Sequence, residues 1–169
     1  MQNLYFFSAL GLMLVTVWSM WRWFLSPWVA GLDGSVALQV LLVVHCFRFI
    51  SPISLVQGVT VPGLSVELTY PQVLGDIATA AFALVAIAAL RAGAGWAKGW
   101  VWFTNLFGFV DLGIVTVQGL RFDFAEHVGA MFYVVAWFVP WLLVSHVLIF
   151  QRLGRKRSAE LPGRLGVES

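Results

Sequence analysis

The run Leu74-Gly75-Asp76-Ile77-Ala78-Thr79-Ala80-Ala81-Phe82-Ala83-Leu84-Val85-Ala86-Ile87-Ala88-Ala89-Leu90-Arg91 decides the fold. Between the aspartate and the arginine it carries no charge. At about 1.5 Å of rise per residue, a helix of this length reaches about 27 Å, close to the thickness of a bilayer core. The run therefore reads as a membrane-spanning helix. Its small residues, Gly75, Ala78, Thr79, Ala80, Ala81, Ala83, Ala86, Ala88 and Ala89, let backbones approach closely where no hydrophobic effect drives helices together. A central position in a bundle is expected for it.

Outward from this run, four more stretches have the same character, at about 4–25, 35–56, 99–120 and 128–150. The breaks fall where turn formers gather, at Ser26-Pro27-Trp28-Val29-Ala30-Gly31-Leu32-Asp33-Gly34 and at Ala92-Gly93-Ala94-Gly95. A longer break contains Val59-Thr60-Val61-Pro62-Gly63-Leu64-Ser65-Val66-Glu67, where Pro62-Gly63 suits a type II turn and a small hairpin or a cap over the helix ends is expected. Pro52 and Pro140 lie within spans and each removes a backbone hydrogen bond. The fold class is an all-α integral membrane protein, a five-transmembrane-helix bundle over residues 1–153. Residues 154–169 form a basic, mostly disordered tail.

Composition agrees with this plan. Of the 169 residues 60% are apolar and 11% charged, against about 45–50% and about 25% in soluble domains. A mean hydropathy of +0.88 excludes a disordered chain as well. The single cysteine, Cys46, supports neither an intrachain disulfide nor a thiolate metal cluster. Much of the basic charge gathers in Arg152, Arg155, Lys156 and Arg157, which speaks for topology and possible anionic-lipid contact; no nucleic acid partner is expected.

Orientation follows from the short loops. Arg22, Arg91, Lys98 and the terminal basic cluster fall on one side and Arg121 on the other, which puts the N-terminus outside and the C-terminus in the cytoplasm. Met1-Gln2-Asn3-Leu4-Tyr5 lacks a cationic signal-peptide start, so the first span is retained as a helix. Trp18, Trp21, Trp23, Trp28, Trp96, Trp100 and Trp102 lie near the cytoplasmic ends as an aromatic belt. The expected location is a bacterial-type inner (plasma) membrane.

Ionisable groups inside spans carry the chemical information, because each costs about 2.5–3.5 kcal/mol near a helix centre on insertion scales. His45 and Arg48, three apart, share a face of the second span; the fourth span offers Asn105, Asp111 and, seven beyond the aspartate, Gln118. Arg48 and Asp111 both lie roughly 3 Å to the outer side of their span midpoints. A contact between them is expected, with His45, Asn105, Gln118 and Asp76 around an outward-half polar pocket. Asp76 would start the third span, where capping its N-terminus is the simplest role. Arg121, Asp123, Glu126 and His127 read as a solvated rim. His146 reads as a lone packing histidine, roughly 10 Å or more from the level of His45.

Three function classes follow. In the first, the pocket binds or translocates a small ligand, ion or proton. In the second, the chain is an accessory or structural subunit of a membrane complex, with Arg48 and Asp111 only clamping two helices. The third is a small intramembrane lipid-modifying enzyme, with Arg48 holding a phosphate or carboxylate and His45 or Asp111 as base. The motifs Gly-x-Ser-x-Gly and His-Glu-x-x-His are absent, as is a glycine-rich phosphate loop, and no catalytic residue is assigned. No cofactor is expected. Haem ligated by two histidines needs imidazoles at one depth, whereas His45, His127 and His146 fall at three levels. Lys98 and Lys156 lie outside the spans, which excludes a retinal Schiff base. Besides the bilayer and a small ligand, a second copy of the chain or a membrane-complex subunit are the open partners. In length, span count and tryptophan content the chain resembles the tryptophan-rich sensory (translocator protein) family. It has no match to that family's proline-tryptophan segments, so the resemblance implies no ligand and no residue role.

Overall fold

The computed structural model describes residues 2–159, with side chains described over residues 4–154. Every regular element among them is helical. Helix α1 (Gln2–Met20) runs through a π-helical turn at Trp21–Leu25 into α2 (Ser26–Ala30). Helix α3 (Gly34–Cys46) runs on as a 3-10 segment, Phe47–Leu55; α4 (Val66–Arg91), α5 (Ala97–Arg121), the short α6 (Phe124–His127) and α7 (Met131–Ala159) follow. Five stretches, Leu4–Ala30, Gly34–Leu55, Val66–Arg91, Ala97–Arg121 and Met131–Gly154, are long and apolar enough to cross a membrane.

Helix boundaries differ from the sequence expectation where a proline was read as a break. The first long helix passes Pro27 and ends only at Ala30. In a regular α-helix the Pro27 ring would meet the carbonyl of Trp23; the wider π turn, in which Ser26 N–H bonds Trp21 O, relieves that conflict. Helix α4 begins at Val66 rather than 74, capped by Ser65, whose hydroxyl accepts the Glu67 N–H at 3.2 Å, and Pro71 is absorbed inside it. Asp76 therefore lies ten residues beyond Val66, and the capping role expected for it belongs to Ser65. At its other end α4 closes with Gly93 at φ +66 and paired bonds, Gly93 N–H to Leu90 O and Ala94 N–H to Ala89 O.

The 56–65 connection forms no hairpin of its own. Gly63, at φ +105, supplies the left-handed residue expected after Pro62. The connection is tied to the turn before α7 by Val61 N–H to His127 O (2.9 Å) and Ala130 N–H to Val59 O (2.8 Å). Helix α7 starts at Met131, three residues later than expected, and continues past Gly154, where a tail was expected to begin, to Ala159. The remainder of that tail lies outside the described residues.

Helix α4 is central, packed between α5 and the α3 rod. Its Ala80, Ala83, Ala86 and Ala89 are buried at three-residue spacing, the use expected of small residues. The main apolar core lies toward the 31–33 and 92–96 turns and joins Val17, Trp21, Leu41, Leu42, Ala86 and Ile149. At that end Arg152 donates to Val29 O (2.9 Å), at the end of the first long helix. Trp18, Trp23, Trp28, Trp96 and Trp102 are exposed. Trp21 is instead buried in the core, and Trp100 joins α5 to α4 by donating its indole N–H to Phe82 O at 3.1 Å. Helix α1 packs on α7 and α6.

Candidate functional site

The 3-10 segment organises the polar side chains. An α-helix that met Pro52 would set its ring against the carbonyl of Arg48, and the chain tightens to three residues per turn over Phe47–Leu55. Residues three apart eclipse in such a helix. Arg48, Ser51 and Ser54 consequently form one buried stripe that continues from His45. This 45-48-51-54 period is present in the sequence, but a reading for α-helical faces passes over it.

Arg48 is only 2% exposed. Its Nε donates to Asp76 Oδ1 at 2.5 Å, its Nη2 to Asp111 Oδ2 at 2.9 Å and its Nη1 to Gly108 O at 3.2 Å. The depth-matched contact with Asp111 is thus present, and Asp76, on α4, makes the second ion pair. Two glycines make room for it. A Cβ on Gly75 would fall onto the Asp111 carboxylate, and one on Gly108 would come within 2.6 Å of Thr79 Cγ2 and 2.9 Å of Arg48 Nη1. Three helices are therefore joined through one guanidinium.

Behind Arg48, His45 and His146 lie with ring centroids 4.3 Å apart, which corrects the expected separation in depth. The later start of α7 moves its midpoint toward His146, and packing of the two helices closes the remainder. Ser145 Oγ donates to Leu142 O (2.9 Å), so in its 3.0 Å contact with His45 Nε2 it accepts the imidazole N–H. Asn105 Oδ1 can only accept, so His146 Nδ1 donates to it at 2.8 Å, while Asn105 Nδ2 donates to His146 O at 3.2 Å. The bonded nitrogen of each ring therefore carries its hydrogen, and His45 Nδ1 and His146 Nε2 have no partner among the described residues. The touching rings leave no space for a haem plane between them. Among the described residues no group of three or more His, Cys, Asp or Glu gathers as a metal site.

On the opposite side of Arg48, toward α6, side chains leave a cavity of about 170 Å³. Phe6 and Phe7 of α1, Leu112 and Val115 of α5, and Val135 and Phe138 of α7 wall it; Arg48, Ser51, Gln72 and Asp76 form its floor. A space of this size accommodates a small organic molecule. Of the residues expected around a pocket, only Arg48 and Asp76 line this one. His45 and Asn105 lie behind the floor. Asp111 and Gln118 share the neighbouring face of α5, whose cavity face is Leu112, Val115, Thr116 and Gly119. Ser51, Gln72 and His146 are the participants that sequence reasoning missed; Gln72 fell in the stretch read as a loop. Of the expected rim, Arg121, Asp123 and Glu126 are exposed and His127 is half-buried, with Asp123 at the cavity edge.

The chain belongs to a protein family: the family model described as "Domain of unknown function (DUF8737)" matches residues 5–154, which cover nearly all of the five long helices. No curated protein and no solved structure matches the chain.

Proposed function

We propose that this member of the DUF8737 family is a multi-pass membrane protein that binds a small, largely apolar molecule in the α1–α5–α7 cavity, against the polar floor. The observation that carries this reading is the position of Arg48. It is a buried charge at the wall of a space that the protein's own side chains leave unfilled. Intramembrane charge is costly, and its usual setting is a bundle interior or a cavity with a functional role. Translocation of the ligand, or of a proton with it, is the fuller form of the proposal.

The Lys and Arg asymmetry supports an orientation with the N-terminus outside and the 92–96 turn in the cytoplasm. In a Cys46→Ala background, Gly95→Cys is expected to resist an impermeant thiol reagent in intact cells and Glu67→Cys to react. The reverse pattern would invert the topology.

A second reading has its own support. The three Arg48 bonds stitch the 3-10 segment to α4 and α5, as a structural subunit would require. Native mass spectrometry of the purified full chain separates the two. Ligand binding predicts a one-to-one small-molecule adduct that disappears in Val115→Trp and Val135→Trp, which fill the cavity with apolar volume. A bare wild-type chain, or an adduct kept in both variants, would leave only the structural reading.

A further inference from the structure

We propose that the cavity floor receives one positive charge, so that the ligand is a lipophilic amine bound as its ammonium ion; this rests on the ligand-binding reading above. The first argument is charge balance. Arg48 is paired with two carboxylates, Asp76 and Asp111, which leaves the cluster one formal negative charge in excess. The rings behind it bring no carboxylate-paired charge: His45 and His146 lie against each other, and their hydrogen-bond partners, Ser145 and Asn105, are neutral.

The second argument is hydrogen-bonding capacity. Each guanidinium nitrogen already has an acceptor, and two of the three are carboxylates, so an anion approaching the remaining N–H groups of Arg48 would meet the charge of Asp76 and Asp111. Asp76 spends one oxygen on Arg48 Nε and lines the cavity with acceptor capacity to spare. Ser51, 3% exposed, also lines the cavity, with its hydroxyl beside the Asp76 carboxylate. An ammonium group offers N–H donors to the lone pairs that these oxygens still have free. The walls suit the rest of such a molecule: Phe6, Phe7 and Phe138 provide apolar surface and ring faces that attract a cation.

Calorimetric titration of the detergent-solubilised full chain at pH 7 with n-octylammonium, n-octanol and n-octanoate, against empty micelles, tests the proposal. The wild type is expected to bind octylammonium one to one and about tenfold or more tighter than octanol, with octanoate weakest. Asp111→Asn keeps an acceptor for Arg48 but removes the excess charge. It is expected to erase the ammonium preference while octanol affinity stays within about twofold. Asp76→Asn should do the same. Octanoate binding tightest, or an ammonium preference untouched in both variants, would overturn the cation assignment and leave the cavity reading intact. If none of the three binds, both fall together.

Discussion

Toward the 31–33 and 92–96 turns the long helices meet through Ala83, Ala86 and Ala89 of α4 and Leu41 and Leu42 of α3, all buried in one apolar core. Toward α6 the same helices part, and a cavity stands over Arg48 and Asp76. Sequence sets this difference. In the packed half, small side chains on α4 allow close backbone contact, and dispersion fills the space. In the hollow half, Pro52 turns the second rod into a 3-10 helix that brings Arg48, Ser51 and Ser54 into one line, while α1 leans on α7 and α6 instead of closing on α5. The packed half keeps a smaller space of about 70 Å³ beside Trp21, Leu41 and Leu148, with no charged residue in its lining. Arg48 and Asp76 line the larger one toward α6.

Substitutions at the two ends should therefore respond differently. The largest effect is expected from Arg48→Met, which leaves two carboxylates facing each other without their cation and should cost about 3–5 kcal/mol, read as a fall in Tm or loss of the monodisperse peak. Adding Asp76→Leu and Asp111→Leu should restore much of that stability without restoring ligand binding. A Tm unchanged in the single variant would remove the ion-pair cluster from the account. In the packed half, Ala86→Leu should cost about 1–3 kcal/mol through overpacking, measured in the same melts. Asn105→Ala, which deletes both bonds to His146, is expected to cost about 1 kcal/mol. Smallest is Val115→Phe in the cavity, expected within about 0.5 kcal/mol of wild type because the new ring enters unfilled space. If Val115→Phe were as damaging as Ala86→Leu, the two halves would not differ in packing.

The five long helices were legible from apolar length, and the Arg48–Asp111 contact from depth along two spans, because both depend on rise per residue. Where a boundary was misplaced, the same arithmetic failed. Glu67, Thr69, Pro71 and Gln72 lowered the hydropathy of the first turns of α4, so Asp76 read as a cap when it stands well inside the helix. A fifth helix drawn from 128 instead of Met131 sets His146 too deep to meet His45. Gln118 follows Asp111 around α5, but that face flanks the cavity rather than lining it. The cavity itself had no sequence signature. It depends on where α1 comes to rest, which is a matter of tertiary packing and not of any local pattern.

The most direct measurement is an experimental density map of the full chain in lipid nanodiscs, wild type beside Val115→Trp. The account predicts density not belonging to the chain between Phe6, Phe138 and the Asp76 carboxylate in the wild type, and its replacement by the indole in the variant. A wild-type map in which α1 has closed onto α5 and no space remains above Arg48 would contradict it.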